Sequence, residues 1–108
     1  MPAAKSNDKV LLDLNHPTFQ DSLFSLEKAD RHAAIETLKK VRQLTWLQVY
    51  SDKGLKWEKI TSVKPPAGVA AIYSLRISQS RRAVATRVGA YMQLLLIAPD
   101  HDATYGKK

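Results

Sequence analysis

Three arginines and one short segment hold the residue types best suited to chemistry. Arg76, Arg81 and Arg82 lie around a single turn, and Asp100-His101-Asp102-Ala103-Thr104-Tyr105 follows the last apolar stretch. Guanidinium groups grip a phosphate bidentately and neutralise charge that develops on it. His101 carries an imidazole, which changes charge near neutral pH, so it suits proton donation to a leaving oxygen. Tyr105 can donate a hydrogen bond or stack on a base, and Asp102 can orient His101 or pair with an arginine. Glu58, the only glutamate after residue 36, is a candidate general base. Each has a plainer reading: a solvated face for the arginines, ties from strand to sheet for His101 and Asp102, and a surface ion pair for Glu58.

Other site chemistries are weak here. Adjacent residues such as Asp100, His101 and Asp102 rarely converge on one ion, and His16 and His32 fall on separate elements, so no metal site is read. No phosphate-binding glycine loop, nucleophile elbow or zinc-finger spacing occurs. The chain has no cysteine, which removes disulfides and thiolate chemistry and suits a cytoplasmic location. The longest apolar run, Leu94 to Ala98, is too short to span a bilayer.

Charge is the next constraint. The 17 basic and 10 acidic residues leave a net +7. Residues 1–54 hold 8 basic and 7 acidic side chains, whereas residues 55–108 hold 9 and 3, so six of the seven net charges lie in the second half. Such clustering builds a long-range field that attracts phosphates or an acidic protein. Charge alone leaves RNA, DNA and acidic protein open.

The elements that must position these residues follow from periodicity. With 108 residues, one domain is expected over 9–108, behind a loose tail of residues 1–8. Lys9 to Leu14 reads as a first strand. Pro17 suits a helix start, and Phe19, Leu23 and Leu26 then share a face over about 17–28. Asp30 is placed to cap a second helix with Ala34, Ile35, Leu38 and Val41 inward. Thr45 and Gln48 have capping-box spacing for a short third helix closed by Gly54. Pro65 and Pro66 stiffen a loop over 61–68. After Gly68 the period becomes two: Val69, Ala71, Tyr73, Leu75 and Ile77 share one face, and Ile72, Ser74 and Arg76 the other. Strands over Arg82 to Val88 and Tyr91 to Ala98 complete an antiparallel meander. An N-terminal strand, two to three helices and a meander make an α+β two-layer domain.

Three stretches, Gly54-Leu55-Lys56-Trp57-Glu58-Lys59-Ile60, Tyr73 to Ile77 through Arg82-Ala83-Val84, and Asp100 to Tyr105, together resemble the RelE/ParE toxin superfamily, nearest the RelE-like branch. The resemblance covers about residues 9–106. It implies a toxin of a type II toxin–antitoxin system that inhibits translation by metal-independent, ribosome-dependent mRNA cleavage, with no cofactor. It also implies a cognate antitoxin, the ribosome and mRNA as partners, and no membrane. By position, Arg82 matches the family's strand arginine and Arg76 a basic strand residue. His101 and Tyr105 fall at the C-terminal acid or stacking positions, and Glu58 near a carboxylate base. Lys56, Lys59, Arg81 and Arg87 remain as RNA-binding cations. Asp102 departs from the pattern by adding negative charge beside His101, and the cationic set is sparser than in lysine-rich members. A ParE-type gyrase inhibitor and a non-catalytic RNA- or protein-binding module on the same fold are the alternatives.

Overall fold

The computed structural model describes residues 7–99. In order it contains β1 (Leu11–Asp13), α1 (Pro17–Phe24), α2 (Lys28–Arg42), α3 (Trp46–Ser51), β2 (Glu58–Ile60), β3 (Ile72–Arg76), β4 (Arg81–Val88) and β5 (Tyr91–Pro99). The five strands form one sheet in the order β1-β5-β4-β3-β2. β1 runs parallel to β5, and every other neighbouring pair is antiparallel. This is an α+β arrangement, with the predicted meander as β3–β5.

Local chemistry explains most boundaries. Pro17 opens α1 behind His16, whose Nδ1 accepts the Thr18 N–H at 3.1 Å. α1 stops at Phe24, four residues short of the predicted end. The Ser25 N–H and Oγ–H both turn back to the Asp21 carbonyl, a local alternative to continuing the helix. α2 therefore begins at Lys28, and Asp30 lies in its first turn rather than capping it. The capping box at α3 forms as predicted: Thr45 Oγ1 accepts the Gln48 N–H, and Gln48 Oε1 accepts the Thr45 N–H. The C-cap of α3 is Asp52, and Gly54 lies in the turn beyond it. β2 is a strand that residue pattern alone does not reveal. Between β4 and β5, Gly89 takes φ +62° in a two-residue turn, a conformation that suits glycine.

Asp52 ties this region together. Its Oδ1 accepts the Leu55 N–H at 2.9 Å and its Oδ2 meets Lys40 Nζ at 3.1 Å. Partial burial pushes the carboxyl pKa up, but the Leu55 amide and Lys40 together outweigh that and hold it below the ordinary aspartate value. A depressed folded-state pKa gives stability that is complete above the unfolded pKa and lost as pH falls through the folded one. Asp52→Asn is therefore expected to weaken the fold at pH 7 and to flatten the acid limb of the stability curve. Thermal melts of wild type and variant that fall in parallel from pH 5 to pH 2 would contradict this.

Two apolar clusters bracket the sheet. The larger, between helices and sheet, includes Phe19, Leu23, Leu38, Val41, Trp46, Leu75, Ile77, Met92 and Leu94. Trp46 is fully buried and donates its indole N–H to the Ala90 carbonyl at 2.9 Å. The smaller cluster, Ile60, Ile72, Val84 and Leu95, lies on the opposite face. It gains a member from a bulge. Val84 pairs with Leu96 and Ala85 with Leu94, so Leu95 is an extra residue, and Leu95 and Leu96 both serve that face.

Candidate functional site

Side chains alternate along a strand, so the helix-facing Leu75 and Ile77 place Ser74 and Arg76 on the far face of the sheet. Arg76 pairs in register with Arg82, and Ser74 with both Val84 and Glu58. Arg76, Arg82 and Glu58 are thereby brought onto one face. Glu58 and Arg76 are diagonal neighbours across β2 and β3, a spacing of about 7 Å between backbones.

The two arginines differ in what they touch. Arg76 is partly exposed, and its guanidinium makes no hydrogen bond or ion pair with any described residue. Its backbone N–H donates to the Leu55 carbonyl at 2.7 Å, which anchors the strand end. Arg82 is only 5% exposed. Its Nη2 donates to Ser74 Oγ at 2.9 Å and to the Lys56 carbonyl at 3.1 Å, while its buried Nε has no partner among the described residues. No carboxylate pairs with it among the described residues. Arg82 is thus a buried cation that braces the approach to β2, where Lys56 adopts φ +51°.

Glu58 is exposed and likewise makes no ion pair among the described residues. An unmatched carboxylate and an unmatched guanidinium therefore share one sheet face. Together they can accept a proton from a hydroxyl and stabilise charge on a phosphate. Glu58 is exposed and Arg76 partly so, and a bound anion there would be screened unless a larger partner covers the site.

Other sequence-predicted cations lie elsewhere. Arg81 alternates with Arg82 and so turns to the helix side. Its Nε meets Asp30 Oδ2 at 3.3 Å, and Ser80 Oγ reaches Asp30 Oδ1 at 3.4 Å. The expected cluster of three arginines is therefore two, because neighbouring strand residues point to opposite faces. Arg87 is also apart: its guanidinium lies over the Trp46 ring at 4.2 Å and donates to the Tyr50 hydroxyl and the Gly89 carbonyl. Five residues separate it from Arg82, roughly 17 Å along the strand. Lys59 is exposed and registers with Tyr73, on the opposite side from Glu58. Lys56 is exposed. Asp100, His101, Asp102 and Tyr105 lie outside the described residues.

Ser74 is the site residue that sequence reading missed. It is fully buried and accepts from Arg82. A lone serine between Ile72 and Arg76 on a strand face was the available signal, since a buried hydroxyl needs a partner.

Neither a protein-family model nor a curated protein matches the chain. Among solved structures, a chain of the crystal structure of an archaeal RelE–RelB complex from Pyrococcus horikoshii OT3 superposes with a TM-score of 0.57. The match is 17% identical and covers 89% of this chain and 98% of that one. The fold is RelE-like. In RelE-like terms, Arg76 and Arg82 stand on the meander strands β3 and β4, on the side away from the helices. No helix among the described residues is long and apolar enough to cross a membrane.

Proposed function

We propose that this chain is the toxin of a type II toxin–antitoxin pair and that it cleaves mRNA on the ribosome. The RelE-like fold supports the class, and so does the net charge of +7. The observation that carries the reaction is that the Arg76 guanidinium and the Glu58 carboxylate, neither ion-paired among the described residues, occupy diagonal positions on one sheet face. In the reaction proposed, the ribose 2′-oxygen attacks the adjacent phosphorus and the bond from phosphorus to the 5′-oxygen breaks. Glu58 takes the 2′-hydroxyl proton, Arg76 stabilises the pentacoordinate phosphate, and Arg82 adds positive potential from beneath. His101 is the proposed acid for the leaving 5′-oxygen, and Tyr105 the proposed stacking group. The products are a 2′,3′-cyclic phosphate and a 5′-hydroxyl. Because the site is solvent-facing, the ribosome supplies the enclosure, and a cognate antitoxin holds the free protein inactive.

Induced expression followed by 5′-end mapping of ribosome-bound transcripts tests the proposal. Cuts phased to the A-site codon are expected within minutes of induction. Arrest without phased cuts would overturn the nuclease reading. Arrest with a DNA-damage response and intact translation would then favour a gyrase inhibitor.

A non-catalytic binding module has one observation in its favour, the 95% burial of Arg82, which removes one guanidinium from direct contact with a ligand. Harmless overexpression with retained RNA binding would support it.

A further inference from the structure

A groove of about 260 Å³ opens on the same sheet face as Arg76. Its floor is apolar, built from Ile72, Val84 and Leu95, and its rim carries His16, Thr18 and Lys64. The loop over 61–68, stiffened by Pro65 and Pro66, forms one wall, and the start of α1 forms the other. Among the described residues no acidic side chain lines it.

The rim offers hydrogen-bond donors. His16 Nδ1 already accepts the Thr18 N–H, so a neutral imidazole carries its proton on Nε2, the ring nitrogen left for a ligand. Lys64 has an exposed ammonium with no ion pair among the described residues, and Thr18 an exposed hydroxyl. A slot whose described lining is an apolar floor with hydrogen-bond donors at its edge fits a flat ring that presents acceptors. Nucleobases have that form, with a π-face for the apolar floor and ring nitrogens or carbonyl oxygens for the donors.

The groove shares strands β3 and β4 with the proposed reaction centre. Val84 pairs with Ser74, and Arg82 lies two residues beyond Val84, about 7 Å along the strand. Ile72 of the floor lies four residues from Arg76 along β3, about 13 Å, which is within two nucleotides of a phosphate held at Arg76. We infer that the groove seats the nucleobase flanking the scissile phosphate and sets base preference through His16 and Lys64. The inference rests on the nuclease reading for its biological role, but its binding step is testable apart from cleavage.

The test is a titration of methyl-labelled full-length protein with the homopolymeric 2′-deoxytrinucleotides, which cannot undergo 2′-oxygen attack. Saturable shifts of the Ile72, Val84 and Leu95 methyls are expected, together with the Arg76 guanidinium signal. Leu96→Phe, which places a larger side chain at the groove, should weaken binding about tenfold or more, and Lys64→Ala by roughly three- to tenfold. If Leu96→Phe fails to fold, Lys64→Ala on the exposed loop decides alone. Arg76 shifts without the methyl shifts would overturn the groove assignment and leave the nuclease reading standing. Silence at both places would overturn the groove and count against RNA binding on this face. Methyl shifts from a protein that makes no phased cuts would uphold the groove while the nuclease reading fails.

Discussion

Arg76→Ala is expected to relieve growth arrest and to reduce A-site-phased cleavage about 100-fold or more, with the fold intact. The magnitude follows from removing the cation that, in the proposed reaction, faces the negative charge building on phosphorus, a loss of about 3 kcal/mol of transition-state stabilisation. Stability should stay within about 0.5 kcal/mol of wild type, because the guanidinium makes no hydrogen bond or ion pair with a described residue. What anchors the residue is its backbone N–H on the Leu55 carbonyl, which alanine keeps. Arg76→Lys should recover part of the rate, since a point charge remains while the planar fork is gone. Glu58→Gln is the companion variant, nearly isosteric and unable to accept the proton. The measurements are transcript 5′-ends after matched induction and a thermal melt of each purified variant. Full toxicity in Arg76→Ala with an unchanged melt would remove this residue from the reaction.

The faces of the meander were legible because a period of two needs nothing beyond local sequence. Arg76 could be put opposite Leu75 and Ile77 from alternation alone, and helix starts at Pro17 and Thr45 carry their own capping chemistry. The same alternation separates Arg81 from Arg82, so the expected three-arginine cluster came from weighing closeness in sequence above parity. β2 was hidden for a different reason. It has three residues and one inward side chain, Ile60, and becomes a strand only because β3 offers an unpaired edge. The parallel pairing of β1 with β5 joins residues about 80 apart, and no local pattern encodes it. Least legible was the burial of Arg82, which depends on the Lys56 carbonyl turning back at φ +51° and on Ser74 beneath the same face. Candidate residues could thus be named from their types, but their division into a free cation and a buried brace required tertiary structure.

Arg82→Ala is expected to be the most destabilising of these substitutions, and Arg82→Met far milder. Alanine leaves a cavity at a 5%-exposed position and removes the donor to both Ser74 Oγ and the Lys56 carbonyl. The cavity and the lost charge-assisted hydrogen bonds cost about 3 kcal/mol together, or roughly 12–24 °C in the melting temperature of a domain this size. Against this stands the cost of holding a guanidinium out of water with no carboxylate beside it and its Nε unpartnered among the described residues. Methionine keeps most of the volume and removes that cost, so its net change should be within about 1 kcal/mol. The pair of variants therefore separates shape from charge. If methionine is as damaging as alanine, the hydrogen bonds to Ser74 and Lys56 dominate, and if alanine is silent, the position is not a brace at all. Cleavage by the folded methionine variant then reads the remaining role of the charge. A drop much smaller than that of Arg76→Ala would assign phosphate stabilisation to the exposed arginine and leave Arg82 holding the segment that carries Glu58.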